Sequence, residues 1–503
     1  MTIYHVRAGG QGEGGTLPSL GAAAKLAKTG DEVVVHGGVY REMLRPGAGT
    51  TWQAAEGERP VIDLGWDNKP TNSSSQNGVL INAPGVVVRG FEIRNVSGNG
   101  IGIAAGGDDC LIEDCEIHHT VSGGLSANGT GTPIRNTTIR GCYVHDISLS
   151  GRWRETPVNG CFLFKSCDGV LVEDTRIERG HGEGMAAGTR SRNLVFRRVT
   201  VARMTHLLVY ASNRAQDVLL EDCVFYQMDD DEEFRQGDGD IGGGIVVGDE
   251  VAPRSLKWQH AENVTVRRCI VINAGSGFWL RNQVKTVGGN PDGYETTIQN
   301  LLVENCTFIA GSNTKNGVDI RENERPGGVK VRGVFRNNLF VFDRLPAGAG
   351  ALKSNAPGVS FEDNGWSDAV PAGARGEGNI GIDAREALVA PFATVADFNI
   401  DNYRPVAGGP LDGAGIGALE PLPVEPPPVV DPPPDPEPEP EPVDWDALFE
   451  RAAAVGVQLA TIGAALADAR EQVAVASLAQ DAAAGELAGL LAALDEATRS
   501  AAN

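Results

Sequence analysis

CLIEDCEI (residues 110–117), TIRGCYV (138–144), VLVEDTRI (170–177), LVFRRVTV (194–201), VLLEDCVF (218–225), VTVRRCIV (264–271) and LLVENCTF (301–308) are one phrase said seven times. Each reads aliphatic, any residue, aliphatic, two polar or turn-forming residues, a small residue that is most often cysteine, any residue, aliphatic. Taking Cys115, Cys142, Thr175, Val199, Cys223, Cys269 and Cys306 as register marks gives spacings of 27, 33, 24, 24, 46 and 37 residues, so the shortest repeat is 24 and the longer ones carry insertions. Within each unit, period-two alternation is broken by Gly, Asn and Asp, which is the pattern of short strands joined by turns. A unit this small cannot bury its own apolar face, so it stacks on copies of itself, with equivalent side chains about 4.8 Å apart. The expected fold is all-β, a parallel β-helix solenoid.

Five of the eight cysteines share the register position, where an inward stack of small apolar side chains is wanted. No CxxC pair or Cys/His spacing suggests zinc, so the reading is buried free thiols and no protein-held metal among them. The net charge of −23 argues against nucleic acid or an anionic membrane as partner. It also weighs mildly against a strongly anionic polysaccharide, unless a local basic groove overrides the global sign. No apolar stretch of about 18 residues occurs, and the start MTIYHVRAGGQGEGG lacks the basic and apolar regions of a secretory signal.

Five segments follow. Residues 1–75 form an N-terminal cap with the first coils, helical in composition over 17–28, and 76–364 are the β-helix proper. Residues 365–420 are an irregular closure. Residues 421–443, PLPVEPPPVVDPPPDPEPEPEPV, hold twelve prolines in 23 residues and form a semi-rigid polyproline strut reaching about 70 Å at roughly 3.1 Å per residue. Residues 444–503 are rich in Ala and Leu, with a seam at Leu448, Ala452, Val455, Leu459, Ile462, Leu466, Ala469 and Val473. That seam suggests a coiled coil joining two or three chains, or docking to a particle, with an intramolecular helical hairpin as the alternative.

Chemistry in a solenoid is sought by aligning coils. We align GIGIAAG (100–106), GLSANG (124–129), GCFLFKS (160–166), GMAAGTR (184–190), HLLVYAS (206–212), GIVVGDE (244–250), GFWLRNQ (277–283), GVDIREN (317–323) and GALKSN (350–355) on their first residues. Residues one and three further on then point inward and residues two and four outward. The outward set includes Tyr210, Trp279, Arg281, Asp319 and Arg321, a flat ring for a pyranose face beside charged groups for hydroxyls or carboxylates. A plain surface ladder with Arg281 paired to Asp319 is the alternative. The position five after the first residue holds Lys165, Asp249, Asn282 and Glu322.

The segment FKSCDGVLVEDT (164–175) resembles the Lys-Ser strand of alginate- and chondroitin-type polysaccharide lyases of this shape. That resemblance implies Lys165 as the base that removes the proton beside a uronate carboxylate, with Arg190 as the cation beside it. Where those lyases have an Arg-His-Gly strand, this chain has GMAAGTRS (184–191). The repeat pattern, together with the opening at 24–42 and the ending at 397–420, resembles the pectin-lyase-like superfamily of right-handed parallel β-helices over some 400 residues.

Two further groups stand out. His118, His145 and Glu178 stack, flanked by His119, Asp146, Arg179 and Arg203, as an acid–base or metal ladder or a solvated turn ladder. DDDEEFRQGDGD (229–240) can bind calcium, supply a glycosidase acid pair, or be a solvated charge run. The loops 148–159 and 283–297 carry Trp153 and Tyr294. Taken together, the expectation is a virion-associated spike or fibre protein that recognises, and in one version cleaves, a cell-surface polysaccharide. It would work outside the cell once assembled, need no cofactor beyond an optional Ca²⁺, and join other virion proteins through 444–503. A lyase, epimerase or hydrolase, and a structural decoration protein, are the alternatives.

Overall fold

The computed structural model describes residues 1–9, 16–67, 76–149, 160–188, 190–212, 214–229, 242–248, 261–281, 296–322, 329–343, 345, 350–393, 395 and 398–420. The strut and helical tail expected over 421–503 lie outside them. Among the described residues the chain winds through three long parallel sheets. Sheet I has 13 strands, from Ile3–Val6 to Val359–Glu362. Sheet II has 13, from Gly38–Tyr40 to Ile380–Ile382, and sheet III has 10, from Val79–Ile81 to Leu352–Ser354. A complete coil visits I, II and III in order, as in Arg192–Arg197, Thr200–Met204 and Leu207–Ser212.

The repeated phrase is the end of a sheet I strand, the corner, and the start of sheet II. From Leu111–Glu113 onward, two residues separate every sheet I strand from its sheet II strand. The first adopts the left-handed conformation: Asp114 (φ 53°), Asp174 (51°), Asp222 (55°), Asn305 (51°), Asn337 (53°) and Asp363 (54°), with Gly141, Arg198 and Arg268 in the remaining coils. Asn, Asp and Gly reach that region most easily, which is why the phrase carries them there. The second turns inward and is fully buried, through Cys115, Cys142, Thr175, Val199, Cys223, Cys269 and Cys306 to Asn338 and Asn364. The Cys306 N–H donates to Asn338 Oδ1 (2.9 Å), and the Asn338 N–H to Asn364 Oδ1 (2.9 Å). Each buried amide is thus satisfied by its neighbouring coil. All eight cysteines are free and buried, and burial pushes the thiols of Cys110 and Cys167 up to about 11 and 12.

On the outer side of the same corner the last residues of sheet I alternate in sign: Glu113, Arg140, Glu173, Arg197, Glu221, Arg267, Glu304, Arg336 and Glu362, in register along the axis. Ion pairs join neighbouring coils, as in Arg140–Glu173 (2.8 Å), Arg197–Glu221 (2.8 Å), Arg267–Glu221 (2.6 Å) and Arg336–Glu304 (2.6 Å). One exposed pair contributes at most about 1 kcal/mol. Pairing coils one repeat out of step would instead place like charges along the whole ladder, so the alternation also discriminates against misregistered stacking.

Both ends of the core are covered. At the N-terminus the helix Leu20–Leu26, inside the stretch expected to be helical, places Leu20 and Ala23 on the first coil. Ser19 caps it, and Glu42 accepts from the N–H groups of Leu20 (2.7 Å) and Gly21 (3.0 Å). At the C-terminus the segment 382–419 packs on the outer face of sheet II. There Ala387, Leu388, Val395, Tyr403, Leu411 and Ile416 cover Ile270, Ile272, Ile309, Leu339 and Val341. Asp229 ties it down, accepting from the Val395 N–H (2.8 Å) and Asn273 Nδ2 (3.0 Å).

Burial alone would raise the Glu221 carboxyl, but hydrogen bonds from Arg197, Arg268 and Arg267 outweigh it and hold the group at about 2. Because this lies below the unfolded value, the ladder's contribution is present at neutral pH and is lost as pH falls from about 4.5 to about 2. Thermal unfolding between pH 7 and 2 should show that loss, and Glu221→Gln should abolish this component of it while lowering the midpoint at pH 7.

Candidate functional site

From Leu111–Glu113 onward the I-to-II corner carries no insertion, whereas the chain lengthens at both ends of sheet III. Long connections precede it between Ile147 and Gly160 and between Tyr226 and Gly243. Others follow it between Gly248 and Glu262, Arg281 and Thr296, and Ile320 and Val329. Variation on a rigid scaffold marks the face where specificity resides, so the outer face of sheet III is the candidate site.

The register along sheet III departs from the alignment at three coils. Leu125 pairs with Phe162, Met185 with Val209, and Val318 with Leu352. The rung expected at Gly160, His206 and Gly350 therefore belongs to Cys161, Leu208 and Ala351. Glycine is needed at this rung only where backbone and side chains crowd it: an added Cβ at Gly184 would stand 2.3 Å from Val201 and 2.5 Å from the Leu208 carbonyl, and one at Gly317 2.3 Å from the Ala351 carbonyl. The corrected outward ladder runs Ala186, Tyr210, Val246, Trp279, Asp319, Lys353. Lys165 moves to the next outward position, beside Asn128.

This ladder surrounds a groove of about 420 Å³, lined by His206, Leu207, Gly242, Gly243, Gly275, Ser276, Trp279, Lys315, Asn316, Asp319 and Arg321. Its floor is glycine. A Cβ at Gly242 would lie 1.7 Å from the His206 carbonyl, while one at Gly243 would meet only the side chains of Val246 (3.1 Å), Leu207 (3.4 Å) and Trp279 (3.8 Å). Half-buried Trp279 forms one wall. Tyr210 faces outward yet is buried in a cluster with Leu207, Val246 and Trp279, so it supports that wall and does not offer a contact surface. The Arg281 guanidinium lies 5.9 Å from both the Tyr210 and Trp279 ring centroids, a cation–π geometry. Asp319 is bound by Arg321 from its own strand (2.8 and 2.5 Å), not by Arg281 across the rung. Asn316 accepts from Lys353 Nζ (2.5 Å). Burial, reinforced by Arg281, lowers His206 to about 4, so its imidazole is neutral at pH 7.

The other expected residues divide. Lys165 stands four rungs from Trp279, about 19 Å along the axis. Arg190 is exposed in a left-handed turn, and among the described residues no hydrogen bond or ion pair joins it to Lys165. Glu322 is spent on structure, accepting from the Val331 N–H (2.9 Å). Asp249, Asn282, Trp153, Tyr294 and the acidic residues 230–240 lie outside the described residues; Asp229 is the closure tie. His206, Lys315, Asn316 and the glycine floor were not anticipated, although the Gly242–Gly244 run was a visible sign of a bare rung.

The His/Asp ladder lies on sheet II. Pairing there steps from His118–Arg94 to Thr120–Val96 and from His145–Glu178 to Ile147–Gly180. Asn95, His119, Asp146, Arg179 and Arg203 therefore occupy one equivalent position that the pairing skips in these five strands, and all are left-handed. The His118 and His145 rings stack (centroids 4.9 Å, 5° between planes), and Arg179 binds Asp146 through Nε (2.8 Å) and Nη2 (2.9 Å). Among the described residues no group of three His, Cys, Asp or Glu side chains is placed to hold a metal.

Comparison with known proteins agrees with this architecture. A family model for the right handed beta helix region matches residues 77–252. Solved structures with a similar fold include pectate lyase Pel9A (14% identity, TM-score 0.48, covering 84% of this chain and 97% of that one). A rhamnogalacturonan lyase is similar at 13% identity and TM-score 0.48, over 83% and 100% of the two chains. The polygalacturonase from Erwinia carotovora ssp. carotovora follows at 9% and 0.43, over 75% and 96%. The family match and the three parallel sheets make the fold a right-handed parallel β-helix. A search of curated protein sequences returned no match.

Since His206 is depressed from about 6.5 to about 4, its neutral burial favours the fold above pH 6.5, and that contribution fades as pH falls towards 4. His206→Gln should flatten this part of the stability profile; a slope unchanged by the substitution would place its origin in another group.

Proposed function

We propose that this chain recognises an acidic cell-surface polysaccharide in the glycine-floored groove of sheet III, with Trp279 as the platform for a sugar ring. The groove itself carries the reading. A rung bare of side chains lets a pyranose approach the sheet, an aromatic wall meets its apolar face, and Lys315 and Arg321 stand beside one carboxylate already held by Arg321. Lys315 and Arg321 outnumber Asp319, the one carboxylate among the described lining residues, in a chain of net charge −23.

The proposal extends to setting. The proline-rich segment 421–443 acts as a spacer, and 444–503 joins two or three copies or docks to other virion proteins, making the chain the glycan-reading arm of a spike or fibre. Support for this comes from the sequence of those segments. Sedimentation of the full chain should show a dimer or trimer that reverts to monomer when residues 444–503 are removed; a full-length monomer leaves only the docking version.

Binding of the full chain to a panel of acidic and neutral bacterial polysaccharides tests the site. Trp279→Ala should weaken binding by about 1–3 kcal/mol, the range of a buried aromatic contact. Gly243→Ala should crowd the floor with a methyl group 3.1 Å from the Val246 side chain; affinity unchanged by both substitutions in folded protein removes this groove from the function. Following chain length, unsaturated uronide absorbance and reducing ends in the same incubations separates recognition from lyase or hydrolase action.

A further inference from the structure

A second hollow, of about 830 Å³, opens on the outer face of sheet I near its C-terminal end. It lies where one coil is a residue short. Up to that coil the sheet I strands carry a left-handed residue that the pairing skips, among them Asn193 (φ 56°), Asp217 (55°), Asn263 (54°) and Asn300 (55°). Their side chains build a ladder: Asn263 Nδ2 donates to Asp217 Oδ1 (2.7 Å), and Asn300 Nδ2 to Asn263 Oδ1 (2.8 Å). In the next strand, Val329–Arg336, Val331 pairs with Ile298 and Gly333 with Leu301, so Arg332 alone stands opposite Gln299 and Asn300. The ladder stops at Asn300, and the hollow begins beside it.

The floor is the outward row Thr265, Leu302, Val334 and Ser360, in register along the axis with the aliphatic pair in the middle. Arg375 stands at the C-terminal end, in a segment laid against the last sheet I strand, where its carbonyl accepts from the Phe361 N–H (2.6 Å). Two of the polar lining groups are engaged. Ser360 donates to Glu362 (2.8 Å), and Arg332 donates to the Val331 carbonyl (3.1 Å) and pairs with Glu322 (3.6 Å). Among the described residues none donates to Asn300 Oδ1, and neither the Thr265 hydroxyl nor the Arg375 guanidinium has a hydrogen-bond or ion-pair partner. The described lining residues include no carboxylate and no aromatic ring.

An amide N–H would continue the ladder at Asn300, an aliphatic side chain would rest on Leu302 and Val334, and a carboxylate would meet Arg375. A peptide carries all three, whereas a pyranose would set hydroxyls on the aliphatic pair with no ring to stack on. We infer that this hollow, separate from the sheet III groove, binds an extended peptide of a partner protein bearing aliphatic side chains and a carboxylate, laid along the solenoid axis across the sheet I strands. From Thr265 to Arg375 is four rungs, about 19 Å at roughly 4.8 Å each, the reach of about six extended residues.

Calorimetric titration of the full chain with the hexapeptide acetyl-Ala-Val-Ala-Leu-Ala-Glu amide, with the same peptide ending in Gln, and with N-acetylneuraminic acid, all at constant ionic strength, tests it. The expected result is saturable binding of the Glu peptide and binding of the Gln peptide at least tenfold weaker. Arg375→Gln should bring the two peptides to equal, weak affinity; its side chain holds no other group, so its unfolding midpoint should not fall. Leu302→Ser, on the floor, should weaken the Glu peptide tenfold or more as well. Trp279→Ala should leave peptide binding intact, whatever it does to polysaccharide. Absence of saturable binding of the Glu peptide, equal affinity in Arg375→Gln, or binding of N-acetylneuraminic acid in its place would overturn the site.

Discussion

The structure depends on one two-residue corner. After every sheet I strand from Leu111–Glu113 onward, one residue turns left-handed and the next plunges into the core. A corner of two residues leaves no slack. Every coil must then present its sheet I and sheet II strands in the same register, so side chains stack as like on like: cysteines and asparagines inside, alternating Glu and Arg outside. An insertion here would displace two sheets at once. Insertions accordingly appear at the ends of sheet III, where a longer path changes nothing downstream of the turn.

That asymmetry is why the groove is where it is. Sheet III strands start from connections of differing length, so their outward residues are not forced into one chemical type, and valine, tryptophan, aspartate and lysine follow one another along one ladder. Sheet II occupies an intermediate position. One skipped left-handed position per strand gives it a regular set of side chains from Asn95 to Arg203, while its C-terminal coils lose alternation and are covered by the closure.

Legibility followed the same physics. The corner phrase was legible because its constraint recurs every coil, and repetition turns a weak local signal into a strong one. The apolar runs Ile270–Ile272 and Leu339–Val341, buried on both faces, were a visible but unused sign that something covers sheet II. The aromatic and charged residues of the groove were read as a group from their positions, and Trp279, Asp319 and Arg321 do share one. Tyr210 was not separable from them, since whether an outward ring is a surface or a support depends on Leu207 and Val246 beside it. Lys165 stands one position from where the alignment put it. A local motif match says nothing about which rung it occupies, and a single misplaced glycine shifts the pairing by one residue.

By itself the sequence determined that the chain is a stack of parallel coils, where the corners lie, and which corner residues face inward, because stacking forces those properties to repeat. Only the tertiary structure decided which outward residues meet. The rung order, the Arg321–Asp319 pairing in place of Arg281–Asp319, and the closure laid across sheet II all depend on contacts between residues far apart in the chain, and no period in the sequence encodes them.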